Sequence, residues 1–178
     1  WGMLEIKAEV NASVTGGGFH SVLLKRDGSL WGTGSGGNGQ LGYGWGIDTK
    51  VFTEAVSADV TAIAAGHRHT LFLKSDGSLW AVGNNSEGQL GDGTASNQKL
   101  PVQILSSGVT RISAYSSASA FVKTDGSLWA MGRNDYGQFG DGTTNDHLVP
   151  YQIQSSGVSE VAIGQYHLMY IKTDKSLW

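Results

Sequence analysis

Apolar and polar residues alternate with period two along much of the chain, the spacing of a half-buried strand rather than a helix. In His69-Thr70-Leu71-Phe72-Leu73-Lys74 successive side chains fall on opposite faces, and Asp76-Gly77 follows as a hairpin turn, since Gly adopts positive φ without steric cost. Leu79-Trp80-Ala81-Val82 is the returning strand. Upstream, Val60-Thr61-Ala62-Ile63-Ala64 predicts one more strand. Downstream, Pro101-Val102-Gln103-Ile104 predicts a short edge strand heading the next unit, where Pro is tolerated. Four short antiparallel strands thus make one unit.

The unit repeats. Asp27-Gly28-Ser29-Leu30-Trp31 returns as Asp76 to Trp80, Asp125 to Trp129 and, with Lys175 in place of Gly, Asp174 to Trp178, and each Trp stands 49 residues from the next. The phrase Gly-Gln-Leu-Gly returns as well, at Gly39 to Gly42 and Gly88 to Gly91, and with Phe139 for Leu at Gly137 to Gly140. Two units continue through Asp92-Gly93-Thr94 and Asp141-Gly142-Thr143 to Pro101 and Pro150. The first has Tyr43-Gly44-Trp45-Gly46 and no proline, which predicts a different path for its outer connection. About 50 residues and four strands per unit is the signature of a propeller blade. The expected fold is all-β: a β-propeller of four-stranded antiparallel blades, about three and a half of them. It forms a single domain over 1–178, with a truncated repeat at 1–31 and full repeats at 32–80, 81–129 and 130–178.

No Trp-Asp dipeptide closes a strand as in WD40 blades, and no paired glycines recur as in kelch blades. Gly66-His67-Arg68-His69-Thr70 through Trp80, then Gly83-Asn84-Asn85-Ser86-Glu87-Gly88-Gln89-Leu90-Gly91, instead resembles the regulator of chromosome condensation repeat family, over essentially Val14 to Trp178. The Asp-Gly-Ser-Leu-Trp and Gly-Asp-Gly-Thr wording is more similar to the bacterial versions. The resemblance implies a ring, usually of seven blades. At about 50 residues per blade that is about 350 residues, roughly what two copies of this chain supply. Repeat three departs from the family, with Tyr115-Ser116-Ser117-Ala118-Ser119 where Gly and His are expected. Members that dimerise through one face hold Trp and Arg there; Arg68 matches and His67 replaces the Trp, which argues against the ultraviolet photoreceptor mechanism. No blade carries an insertion resembling the wedge of the Ran exchange factor.

Charge and composition remove other classes. Twelve Lys and Arg against 15 Asp and Glu, scattered without blocks, supply no basic patch for phosphates. No apolar run approaches the 20 or so residues that cross a bilayer. With no Cys there is no thiol nucleophile, disulfide or zinc-thiolate site, while 27 Gly against 2 Pro signals many tight turns. Gly32-Thr33-Gly34-Ser35-Gly36-Gly37 matches a dinucleotide fingerprint but lacks the following helix, so it reads as a propeller loop. His20, His69 and His167 share one repeat position, and the expectation there is structural, one ring nitrogen bonding backbone. The four register tryptophans are expected to pack blade against blade. Neither G-x-S-x-G nor H-E-x-x-H occurs, so neither catalysis nor a cofactor or metal is expected.

Scaffold positions repeat because packing demands it, so the unrepeated residues between the fixed Gly and His of each unit point to recognition. They are Gly18-Phe19, His67-Arg68, Ser116-Ser117 and Gln165-Tyr166, at a strand entry opening onto one face. Phe19, His67, Arg68, Gln165 and Tyr166 form the candidate interaction face, because exposed aromatics and Arg dominate binding hot spots. Trp1 and Trp45 break register and are candidates for ligand stacking. The leading reading is a non-catalytic interaction scaffold that binds a protein partner or a second copy of itself. A carbohydrate-binding module at a bacterial surface is the alternative, and a guanine-nucleotide exchange factor a third. Extracellular or cell-surface placement is the expectation. The start on Trp1 is read as a removed leader or a longer parent chain. Trp178 stops where its strand should continue and Trp1-Gly2 resembles that continuation, so an N-terminal segment of a second copy is expected to complete the last blade, in a ring or a filament.

Overall fold

The computed structural model describes residues 12–178. Its elements are β1 (Ser13–Gly16), β2 (His20–Leu24), β3 (Leu30–Gly34), β4 (Thr49–Val56), β5 (Val60–Ala65), β6 (His69–Lys74), β7 (Leu79–Gly83), β8 (Gln98–Leu105), β9 (Val109–Tyr115), β10 (Ala118–Lys123), β11 (Leu128–Gly132), β12 (His147–Gln154), β13 (Val158–Ile163) and β14 (Leu168–Lys172). They make three four-stranded antiparallel sheets in chain order, β1 to β4, β5 to β8 and β9 to β12, and a two-stranded fourth sheet of β13 and β14. A bridge from Ile171 to Leu177 extends the fourth sheet. First strands of adjacent blades touch one another, β1 with β5, β5 with β9 and β9 with β13, which places them at the narrow inner end of the arc. This is the all-β propeller that the repeat pattern predicts, at about three and a half blades.

Each β2–β3-type hairpin is closed by the Asp-Gly-Ser turn. Ser29 donates its amide (2.9 Å) and its hydroxyl (2.6 Å) to Asp27 Oδ1. These serine bonds hold the Asp27 carboxyl below its ordinary range, as their counterparts do for Asp76, Asp125 and Asp174. Ser29 Oγ also accepts Trp31 Nε1–H at 2.8 Å, and Lys25 lies 3.4 Å above that ring. The same Lys over Trp recurs at Lys74 and Trp80, Lys123 and Trp129, and Lys172 and Trp178. Trp80 and Trp129 border the apolar layers between sheets, as the repeat pattern predicts. Trp178 is 61% exposed on the two-stranded blade.

The outer strands differ from expectation in two ways. β8 has eight residues and is the outer edge of the sheet begun by β5, paired with β7, rather than the short head of the next unit. Pro101 sits where the register shifts between Ala81↔Val102 and Gly83↔Gln98, a bulge that asks for no proline amide. β4, with Phe52 in place of proline, keeps the same shift between Gly32↔Thr53 and Gly34↔Thr49. The first outer connection therefore follows the same path as the others. It replaces the side-chain bond from Asn85 to Asp92 (2.9 Å) with one from the Tyr43 hydroxyl to the Ile47 carbonyl.

The core lies between blades. Val22, Leu24 and Leu30 of the first meet Val60, Ala65 and Phe72 of the second. Leu71, Leu73 and Leu79 meet Val109, Phe121 and Met131. Ala118, Val122 and Leu128 meet Val158, with Leu168 and Tyr170 alongside. Each blade thus turns one face of its strands forward and the other back.

His20 and His69 join blades and their rings do not bond backbone, which corrects the expected partner. His20 Nε2 is 2.9 Å from Thr70 Oγ1 of the next blade, and that hydroxyl is 2.8 Å from the Gln40 carbonyl. His69 Nε2 reaches Ser119 Oγ (2.9 Å), which reaches the Gln89 carbonyl (2.7 Å). A carbonyl only accepts, so the hydroxyl proton goes to it and the hydroxyl oxygen accepts from histidine Nε2–H. Nδ1 is then the bare acceptor, buried without a partner in both rings. Burial, with a neighbouring histidine's charge second, lowers His20 to about 4 and His69 to about 3, so both are neutral.

The histidine also explains the glycine three residues before it. A Cβ on Gly66 would lie 2.1 Å from His69 Cε1, and one on Gly17 or Gly164 would lie 2.3 Å from the corresponding Cε1 of His20 or His167. Repeat three loses all partners together. Ala118 replaces the histidine, Tyr115 the glycine it would have crowded, and Leu168 of the following blade the hydroxyl residue. An apolar contact of Ala118 with its neighbours, Leu168 among them, stands where the others have a hydrogen-bonded relay.

Candidate interaction face

The turns joining first and second strands share an end of the arc with the start of the long loops after β3, β7 and β11. Ser35 N donates to Phe19 O (2.8 Å), Asn84 N to Arg68 O (2.8 Å) and Arg133 N to Ser117 O (2.9 Å). Side chains at unrepeated positions of both segments therefore stand on one face.

The structure brings Phe19, His67 and Arg68 together. The Phe19 and His67 rings lie 4.9 Å apart, tilted by 53°, and the Arg68 guanidinium carbon is 5.0 Å from the Phe19 centroid. His67 crosses Gly18, where a Cβ would meet its ring at 1.9 Å, so a glycine is required there. Gln165 and Tyr166 form a second cluster, with Gln165 Nε2 donating to the Tyr166 hydroxyl at 2.8 Å. Tyr166 meets Tyr136 edge to face at 4.7 Å. Arg133 lies 5.4 Å from the Tyr136 ring and is paired with Asp135 at 2.6 Å, a partner that raises its pKa. A cavity of about 290 Å³ joins the clusters, with Gly17, Gly66 and His67 on one side, Gln165 on the other, and Tyr115 and Ser116 between them. Phe19, Tyr115, Tyr136 and Tyr166 are each about half exposed or more.

Arg133, Asp135, Tyr136 and Tyr115 are additions to the sequence-based set. The same signal would have found the loop residues, because Arg133 and Tyr136 stand where the earlier repeats have Ser35 and Asn84, and Asn38 and Glu87. Trp45 lies elsewhere, 76% exposed on the long loop beside Lys99 of β8, where Gly44 N donates to Lys99 O (3.0 Å). Trp1, and with it the proposed completion of the last blade by Trp1-Gly2, lies outside the described residues. Asp92 and Asp141 are engaged within their loops, by Asn85, Thr94 and Gln98, and by Asn134, Thr143 and His147. Burial raises both carboxyls, yet these hydrogen bonds outweigh it and the net shift is downward.

An arc of antiparallel four-stranded blades whose loops converge on one rim is a repeat β-propeller. Its family follows from the repeats themselves. A profile described as the regulator of chromosome condensation (RCC1) repeat matches residues 76–122 and 125–171, and a second profile of that description matches 12–40, 60–89 and 109–138. The chain belongs to the RCC1 repeat family. Comparison with curated protein sequences finds no match. Among solved structures it is similar to human WBSCR16, at 23% identity and a TM-score of 0.81 over 93% of this chain and 46% of that one. It is also similar to Prp20p of Saccharomyces cerevisiae, in a structure described with its binding properties to Gsp1p and histones, at 21% identity and a TM-score of 0.74 over 98% and 46%. A third likeness is to yeast RCC1 (Prp20) with Kap60 bound, at 20% identity and a TM-score of 0.78 over 98% and 44%. The chain spans about half the length of these structures.

Proposed function

We propose that this chain is a protein-binding propeller module, without chemistry of its own, that receives its partner on the face carrying Phe19, Arg68, Tyr136 and Tyr166. One observation carries the reading. Exposed aromatic and arginine side chains stand at positions the repeat does not dictate, Phe19 and Arg68 beside His67 and Tyr136 and Tyr166 beside Gln165, with His67 and Gln165 lining one cavity. Such side chains supply large contact area at small entropic cost, the composition of a hot spot. The solved relatives whose descriptions name histones, Gsp1p and Kap60 support the class of partner, though not its identity here.

The test places a photo-crosslinking residue at Phe19, identifies the captured protein, and measures its affinity for the chain by calorimetry. Phe19→Ala, Arg68→Ala and Tyr166→Ala are each expected to weaken binding about tenfold or more, with folding unchanged. Unaltered affinity in all three refutes the assignment. The exposed Trp45 supports a glycan as second reading. Array binding abolished by Trp45→Ala would put that reading in place of the first.

A further inference from the structure

The loop-bearing face carries one charge that the described residues do not balance. Arg111 is paired with Glu160 at 3.2 Å and Arg133 with Asp135 at 2.6 Å, whereas the exposed Arg68 guanidinium meets no carboxylate among the described residues. Glu87, on the loop after β7, accepts from Ser86 Oγ at 3.4 Å instead. Arg68 is nonetheless held in place. Its guanidinium carbon lies over the Phe19 ring, 5.0 Å from the centroid, and Phe19 in turn meets the His67 ring at 4.9 Å. Its carbonyl accepts the Asn84 amide at 2.8 Å. A guanidinium laid over a ring keeps its N–H donors around its own edge, directed away from that ring. Next to it, His67 and Ser116 line the cavity of about 290 Å³, tied by His67 N donating to Ser116 O at 2.9 Å. The second blade, which bears His67 and Arg68, has described blades packed on both sides. Further blades at either end of the arc would therefore leave this part of the rim open.

We propose that the partner presents an aspartate or glutamate side chain here, its carboxylate pairing with Arg68 at the mouth of the cavity. This rests on the protein-binding reading above and names the chemistry of the partner. Charge decides among anions. One uncompensated cation balances the single charge of a carboxylate, whereas a phosphoryl group carries up to about two charges and a nucleic acid a whole row of them. The planar arginine fork matches the two oxygens of a carboxylate. The Phe19 ring restrains that fork before binding, so less side-chain freedom is lost when the pair forms. His67 has a ring N–H in either tautomer and Ser116 has a hydroxyl, so both offer further donors at the cavity.

The experiment pans a random-peptide display library on the 178-residue chain. A selected peptide, and its counterpart with the acid changed to the matching amide, are then measured by calorimetry against the wild type and Arg68→Gln, with circular dichroism to confirm folding. An acidic residue is expected at one fixed position of the selected peptides. Removing its charge and Arg68→Gln are each expected to weaken binding about tenfold, and the two together little more than either alone, since both delete one contact. Panning on Arg68→Glu is expected to select Lys or Arg at that position instead. Equal affinity of the acid and amide peptides, or additive costs in the cycle, overturns the inference. If Phe19→Ala and Tyr166→Ala still weaken that peptide, the protein-binding reading stands without it; if they do not, both fall. A library that yields no binder also overturns the inference.

Discussion

Mild acid should destabilise this protein through its two buried relay histidines, and the magnitude follows from their environment. In the unfolded chain a histidine titrates near 6.5, whereas His20 is lowered to about 4 and His69 to about 3 in the fold. Between those limits the unfolded state binds protons that the folded state refuses, so stability falls as pH falls through this window. From pH 7 to pH 5 the loss is about 2 kcal/mol for each ring, or about 4 kcal/mol for both, against a typical total of about 5–15 kcal/mol. The turn carboxylates titrate near 3.9 when unfolded and lower in the fold, so they add their loss only at more acid pH. His69→Ala separates this effect from ordinary packing. At pH 7 it should cost about 2–4 kcal/mol, since a fully buried ring leaves a cavity. It should also halve the loss between pH 7 and pH 5. Urea unfolding at half-unit pH steps measures both quantities. A pH dependence in His69→Ala as steep as in the wild type would refute the linkage, whatever the cost at pH 7.

Gly66→Ala should destabilise by about 2 kcal/mol, because the added Cβ lies 2.1 Å from His69 Cε1 while the Gly66 amide is held by the His69 carbonyl at 3.0 Å. In the His69→Ala background the same substitution should be nearly neutral, so a double-mutant cycle by urea denaturation that gives additive costs contradicts the proposed crowding. Lys175 occupies φ 70° at the turn position where Gly28, Gly77 and Gly126 stand. Lys175→Gly should therefore raise stability by about 1 kcal/mol, roughly 2–4 °C in Tm by calorimetry, and an unchanged or lower Tm would contradict the inferred strain.

Much of the architecture was legible in the chain because its causes are local and recur. Period-two alternation marks the strands, Asp-Gly-Ser carries its own hydrogen bonds, and tryptophans 49 residues apart set the blade count. Position in the repeat also nominated contact residues, and the structure places His67 and Gln165 on one cavity, with Phe19 and Arg68 beside the first and Tyr166 beside the second. The identity of the histidine's partner was not legible, because His20 and Thr70 are 50 residues apart and meet only when blades pack face to face. For the same reason repeat three read as a bare departure. Only the packed structure shows that Tyr115, Ala118 and Leu168 are one coordinated replacement, in which removing the ring frees space over the glycine and removes the need for a hydroxyl. The path of the first outer strand was decided by pairing with β3, which fixes its register whether or not a proline is present. Sequence by itself determined how the inner strands and their hairpin turns would form; the outer strands and the side chains that face each other across the blades were decided by tertiary packing, since neighbours along a repeat chain are not neighbours across it.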